Sequence, residues 1–345
     1  MRDKFLGCLL GAAVGDAMGA ATETMSTSEI IKTYGARVTS FLEPVENNIA
    51  YGRRVGQVTD AFSIAYYLTE SIIENNGKAD RKTGENALIE WGNSEFFDAF
   101  AGMTTRKVVK RLNDRKKTSE WDRICSLGNT LFKGNYYALS SNGAACKAYP
   151  AGLLHPGNID AAIADAVELT MASHDDPLSI SGACAVAAAV SAGLTEGATV
   201  ESIVNAGLYG SKKGETLARD HADIWVYPGP SVTKRMKKAI ELAMKAEDAE
   251  VRVNSIRELI GSGPAIAESV PAAFGIFVVE NGDLMKCIYD AVNIGDETSA
   301  IAEIIGAIAG TYRGASCITE GYLDVICREN DMDIESQVDR LMKLT

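Results

Sequence analysis

The chain contains no C-x-x-C pair. Its seven cysteines (Cys8, Cys125, Cys146, Cys184, Cys287, Cys317 and Cys327) are scattered and odd in number, so neither a disulfide framework nor a cysteine metal knuckle is indicated. Several lie in runs of small residues, where a reduced thiol behaves as a small hydrophobe. This pattern reads as a chain of the reducing cytoplasm. Positive charge is not in excess: 34 Lys and Arg against 46 Asp and Glu give a formal net charge of -12. That balance argues against nucleic acid as a main partner, but leaves room for a small phosphorylated ligand held by backbone amides or a metal. No apolar run reaches the roughly eighteen residues of a membrane span, so no membrane partner is expected. The opening stretch MRDKFLGCLLGAAVGDAMGA looks like a signal peptide at first sight. Its apolar part is short, holds Gly11, Gly15, Asp16 and Gly19, and lacks a strong basic flank because Asp3 offsets Arg2 or Lys4. No segment keeps a clear two-residue period; Phe277-Val278-Val279 is the best short strand candidate. Strict repeats and linker composition are also missing.

What remains is a chain of 345 residues, 46% hydrophobic and 23% charged, with ample material for a large core. Helical periods predict helices over 4–20, 26–34, 84–98, 103–114, 119–132, 159–172, 199–213, 231–246, 250–260, 266–279, 283–293 and 298–311. Thr59 is expected to cap another helix that runs to Asn75-Asn76-Gly77. Asp176 with Pro177 begins the run SISGACAVAAAVSAGL, whose small residues demand burial. Residues 37–55 read as a loop, and 320–342 as a last amphipathic helix or pair broken at Asn330-Asp331. Asn142-Gly143 favours a turn with positive φ. The expected architecture is a single all-α domain over 1–345.

Polar groups gather at the starts of small-residue helices: Thr59-Asp60, His174-Asp175-Asp176 and Asp296-Glu297-Thr298-Ser299. Asp16 and Glu23 stand at the end of the first helix. Unpaired N–H groups and the helix dipole stabilise carboxylates at such starts. Hard oxygen ligands from two helix starts suit a Mg²⁺-type ion; alternatively, two carboxylates divide acid and base roles in glycoside cleavage. Each residue also has an ordinary role open to it. Thr59 can be only a cap, Asp60 a dipole partner, Glu23 a surface acid, His174 a core histidine and Asn142-Gly143 a turn.

Four segments, taken in order, resemble the ADP-ribosylglycohydrolase family. They are Gly7–Glu23 (GCLLGAAVGDAMGAATE), Gly56-Gln57-Val58-Thr59-Asp60, Ser141-Asn142-Gly143-Ala144-Ala145 with His174 after it, and Ala291–Gly314 ending Gly306-Ala307-Ile308-Ala309-Gly310. Each piece is weak alone; the ordered set is specific and spans nearly the whole chain. The resemblance implies an all-α, single-domain orthogonal helical bundle and a cleft with two Mg²⁺ or Mn²⁺ ions. It also implies hydrolysis of an N- or O-linked ADP-ribosyl bond, with a small-molecule or ADP-ribosylated substrate as partner.

The family's ligand pattern is incomplete here. Its Thr-Asp-Asp becomes Thr59, Asp60 and Ala61, and its Asp-Thr-Asp-Thr becomes Glu297, Thr298, Ser299 and Ala300. A one-residue shift would bring Asp296 forward at the expense of the helix register. Thr59, Asp60, Glu297 and Ser299 are expected to hold one Mg²⁺ or Mn²⁺ ion at most. Asp60, Glu297 and Glu23 are the candidate catalytic residues. Asp16, Asn142, Gly143 and His174 are the candidate ligand-binding residues. Three functions follow: a ribosyl-bond hydrolase with one metal or none, a non-catalytic protein holding ADP-ribose or a nucleoside, and a glycosidase of a modified nucleoside.

Overall fold

A computed structural model of the chain describes residues 1–97, 100–114, 140–221 and 229–345. Helices make up its regular structure. The first five are α1 (Arg2–Gly19), α2 (Thr27–Tyr34), α3 (Asp60–Glu74), α4 (Arg81–Trp91) and α5 (Met103–Asn113). Next come α6 (Gly143–Cys146), α7 (Tyr149–Leu154), α8 (Ile159–Met171), α9 (Pro177–Gly193) and α10 (Val200–Asp220). Then follow α11 (Val232–Ala243), α12 (Ala249–Leu259), α13 (Ile266–Val279), α14 (Leu284–Asn293) and α15 (Thr298–Arg313), with α16 (Tyr322–Asn330) and α17 (Ile334–Leu341) closing the chain. Among the described residues the β structure is one isolated antiparallel bridge, Ser141 with Ala265.

The all-α expectation holds, with local corrections. Phe277–Val279 is no strand; it ends α13. The helix expected over 84–98 starts at Arg81, after the cap Asp80, and stops at Trp91 with Gly92 as its C-cap. The helix expected to end at 213 continues to Asp220, and α1 begins at Arg2. Asn142 has helical dihedrals and opens α6, so the expected positive-φ turn is not formed. Its carbonyl instead accepts from the N–H groups of Ala145 and Cys146. The helix expected over 119–132, and Cys125, lie outside the described residues. Thr59 caps α3 as expected, Asp176 is the cap within the 174–177 cluster, and Ser26 and Asn158 cap α2 and α8.

Two pairs of antiparallel helices build the core. In the first, Gly7, Gly11, Gly15 and Gly19 of α1 meet Gly310, Gly306, Ala302 and Ser299 of α15. A Cβ placed on any of these four glycines of α1 would strike the opposing backbone. The four-residue spacing keeps the bare stripe on one face of α1, so the two backbones touch along its whole length. In the second, Gly210 and Gly214 of α10 press on Cys184 of α9, and every residue of α9 is buried. The segment Arg2–Thr22 is long and apolar enough to cross a membrane, contrary to the reading by apolar runs alone, yet its apolar window is 100% buried within the protein. Glycine and alanine give that segment its length, and close packing against α15 covers it.

The α1–α15 pair positions the polar residues. At the end where α15 begins, α1 passes through the short 3-10 turn Ala20–Thr22 into Glu23. There the chain is tied down by Thr24 N–H donating to Asp296 O at 2.8 Å and Asp296 N–H donating to Met25 O at 2.9 Å. The start of α3 lies beside Asp16, and the strand-like segment 140–142 reaches the same region by pairing with 264–266.

Candidate active site

Asp16 is fully buried one turn before the end of α1. One carboxylate oxygen accepts from the backbone N–H of Thr59 at 2.8 Å and of Phe62 at 3.1 Å; the other accepts from the Thr59 hydroxyl at 2.6 Å. Asp16 therefore supplies α3 with two of the N–H partners that its own first turn lacks. Burial pushes its pKa up to about 6 against the pull of these donors. Thr59 is the N-cap, its hydroxyl accepting from Ala61 N–H at 3.1 Å. Asp60 follows it, half-buried, and accepts from Gly102 N–H at 3.3 Å.

At the start of α15 the arrangement differs. Glu23 is 5% exposed and accepts from Ser299 N–H at 2.8 Å and the Thr298 hydroxyl at 3.1 Å through a single oxygen. Burial, and next the nearby Glu297 carboxylate, push its pKa well up. Glu297 is the N-cap residue of α15, but its side chain makes no capping bond. It is half-buried and accepts instead from Asn142 Nδ2 at 2.9 Å. Burial raises its pKa, Asn142 opposes the rise, and Asp296 adds to it. Asp296 itself is exposed, with a φ of 65°, and its carboxylate lies against Gly263.

The third component is built around α6. Gly143 lies against Ser141 and His174. His174 is buried, with Nε2 2.9 Å from the Ser141 hydroxyl and Nδ1 2.8 Å from the Ser173 hydroxyl. Asn142 is the link between this group and α15. The structure thus pairs Asp16 with Thr59, Glu23 with Ser299 and Glu297, and Asn142 with Glu297, while His174 joins them through the Ser141–Gly143 segment.

Two buried residues next to these were not singled out from the sequence. Lys147 donates to Gly143 O at 2.8 Å, and burial lowers its pKa to about 8. Glu303 is fully buried on α15, accepts from the Tyr149 hydroxyl at 3.1 Å, and is held well above its ordinary pKa by burial and then by Asp16. Each is a lone charge in a run of small residues, the same signal that marked Asp16.

The donor set does not fit a two-ion centre. Among the described residues, no three His, Cys, Asp or Glu side chains are grouped as a metal site. Ala61 and Ala300, both buried, offer no side-chain oxygen where the resemblance places ligands. The Thr59 hydroxyl is already engaged with Asp16 and Ala61. Two divalent ions need several carboxylates and free oxygens, and these positions do not supply them.

Comparison with known proteins agrees with the fold. ADP-ribosylhydrolase ARH3 of Xenopus tropicalis is 27% identical over 93% of this chain and 92% of its own. The ADP-ribosyl-[dinitrogen reductase] glycohydrolase of Rhodospirillum rubrum is 23% identical over 100% of this chain and 97% of its own. A solved structure titled as an ADP-ribosylglycohydrolase-related protein complex superposes with a TM-score of 0.67 at 19% identity, covering 99% of this chain and 98% of that one. A family model, ADP-ribosylglycohydrolase, matches residues 1–345, and the chain is a member of the ADP-ribosylglycohydrolase family.

Proposed function

We propose that the protein hydrolyses an ADP-ribosyl or related N- or O-linked ribosyl bond, with one divalent ion or none. The observation that carries this reading is the pair of half-buried carboxylates, Asp60 and Glu297, each at the start of a helix that packs on α1. Glu297 holds its proton more tightly than an ordinary glutamate because it is buried beside Asp296 and faces Glu23. It is therefore suited to give that proton to the leaving nitrogen or oxygen as the ribosyl bond breaks. Asp60 takes a proton from the water whose oxygen bonds to the ribosyl carbon. Glu23 is too buried to meet substrate; it acts through Glu297, the two carboxyls sharing a proton in a buried setting. Asn142 orients Glu297. Asp16 and Thr59 hold the helix that carries Asp60. Gly143 and His174 are assigned to the ligand side of the cleft. Thr59, Asp60, Glu297 and Ser299 remain the donors for a single Mg²⁺ or Mn²⁺, and no step here is routed through it. We also assign the protein to the cytoplasm, with no nucleic acid or membrane as partner; the net charge of -12 supports the first of these exclusions.

ADP-ribosyl-arginine, incubated with EDTA in one arm and with Mg²⁺ or Mn²⁺ in the other, tests the reaction by release of ADP-ribose in mass spectrometry. Release that disappears in Asp60→Asn and in Glu297→Gln supports it. No release in any arm, or release equal in the double variant, overturns it for this substrate. The buried Ala61 and Ala300 favour a second reading, a protein that binds ADP-ribose without cleaving it. A thermal shift with ADP-ribose and no cleavage product would select that reading.

A further inference from the structure

Behind His174 lies a charge that the proposed reaction does not use. Lys147 is 4% exposed and His174 is 1% exposed. The Lys147 ammonium is 3.3 Å from His174 Nδ1 and, on its other side, 2.8 Å from Gly143 O. An ammonium offers donors only. A hydrogen on Nδ1 would face that positive charge; with the lone pair kept there instead, Nδ1 accepts from Lys147 and from the Ser173 hydroxyl 2.8 Å away. Burial, and then Lys147, hold His174 well below its ordinary pKa, so the ring does not carry both protons near neutrality. Its one proton is on Nε2, which is 2.9 Å from the Ser141 hydroxyl oxygen and donates to it. Ser141 is half-buried and has no other side-chain hydrogen bond among the described residues. Its own hydrogen is free to turn outward. This is the reverse of a serine–histidine nucleophile pair, in which the imidazole accepts the serine proton.

We propose that Lys147 is a positioning residue: its buried ammonium fixes His174 as the Nε2–H tautomer, so Ser141 presents its hydroxyl hydrogen to the cleft as a donor to a ligand oxygen. The groups facing Lys147 agree with a charged state near neutrality. Burial opposes the ammonium and the Asp60 carboxylate favours it, with Cys146 and Glu303 adding to that only where they ionise, leaving a pKa of about 8. Above that, the neutral amine gains a lone pair and an Nδ1–H tautomer becomes permissible.

The tautomer is read in the free protein by long-range ¹H–¹⁵N correlation on [¹⁵N]histidine-labelled chain. His174→Gln assigns the signal among the three histidines. The expected result near neutral pH is the Nε2–H pattern, kept in Lys147→Arg and replaced in Lys147→Met by the Nδ1–H or an averaged pattern. An Nδ1–H pattern in the unaltered chain, or an unchanged pattern in Lys147→Met, overturns the proposal. Should Lys147→Met fail to fold, titration of the unaltered chain decides. Loss of the Nε2–H pattern as the pH passes about 8 supports the proposal, and its persistence to about pH 10 overturns it. The ligand half of the proposal rests on the ADP-ribosyl reading. With ADP-ribose as probe, calorimetry is expected to show binding about tenfold weaker in Ser141→Ala, the size of one lost hydrogen bond, and equal affinity overturns that half. The tautomer result does not depend on any ligand, so the two readings fail separately.

Discussion

The starts of α3 and α15 both lie against α1, and each receives a carboxylate from its neighbourhood. At α3 the acid is Asp16, with both oxygens used and three donors within 3.1 Å. At α15 the acid is Glu23, bonded by Thr298 and by the N–H and hydroxyl of Ser299, with a second carboxylate, Glu297, close enough to raise its pKa. The first arrangement is complete without a ligand. The second places like charges together in a buried setting, where a shared proton or an added cation relieves them. Like charge is thus crowded at the start of α15, whereas at α3 the buried acid is satisfied and leaves Asp60 as the carboxylate on that helix start.

The contrast breaks most sharply in turnover. Glu297→Gln removes the proposed proton donor and the carboxyl that is coupled to Glu23. Release of ADP-ribose is expected to fall about 10²–10⁴-fold, the usual contribution of general acid–base catalysis. The unfolding temperature should hold or rise, because Glu23 no longer faces a carboxylate. A variant that loses stability but keeps activity would make Glu297 a structural residue and erase the distinction. Asp16→Ala is the opposite case. It leaves two backbone N–H groups and the Thr59 hydroxyl buried without their acceptor, at about 1–3 kcal/mol for each group left unpaired. Urea unfolding should therefore show a loss of roughly 3 kcal/mol or more.

The pH dependence of stability sharpens the same point. The folded-state pKa of Asp16 is about 6 against 3.8 for an ordinary aspartate. The folded chain thus binds the proton more tightly than the unfolded one. The sign follows: stability from this group is full below pH 4 and is lost as pH rises through 6. The drop is at most about 3 kcal/mol, from roughly two pKa units at about 1.4 kcal/mol each. Denaturation midpoints from pH 4 to 7 should show this fall in the unaltered chain and a flatter curve in Asp16→Asn. Equal slopes in both would mean that the three donors hold Asp16 ionised throughout.

Much of this was legible in the sequence, for identifiable reasons. The glycine stripe of α1 and the matching small residues of α15 announce two buried helices in contact. Caps such as Thr59 and Asp176 are local chemistry, set by the residues beside them. The four ordered segments pointed to the family. Pairings across the chain were not legible. Nothing near Asn142 says that its amide reaches Glu297, and nothing near Asp16 says that it caps a helix 43 residues later. Lys147 and Glu303 carried a readable signal, a lone charge among small residues, but their partners come from other helices. Asn142-Gly143 misled because turn preference is local, whereas here pairing with Pro264 and Ile266 fixes the backbone into α6.

The last and smallest effect concerns the seam that holds both starts in place. Gly11 and Gly19 lie on the same face of α1, and a Cβ at either would meet the backbone of α15. Gly11→Ala and Gly19→Ala should each cost about 1–3 kcal/mol by forcing the helices apart. Gly102→Ala, where nothing lies within 4 Å of the added carbon, should stay within about 0.5 kcal/mol. The two seam variants then part in function. Gly11 faces Gly306, in the middle of α15, whereas Gly19 faces Thr298 and Ser299, whose hydroxyl and N–H hold Glu23. Displacement at Gly19 moves the reacting start relative to Glu23; displacement at Gly11 leaves that end closed. Turnover per folded molecule should fall in Gly19→Ala and hold in Gly11→Ala at matched loss of stability. Equal turnover in both would show that the start of α15 is positioned by the Thr24–Asp296 and Met25–Asp296 backbone bonds rather than by close approach of the two helices.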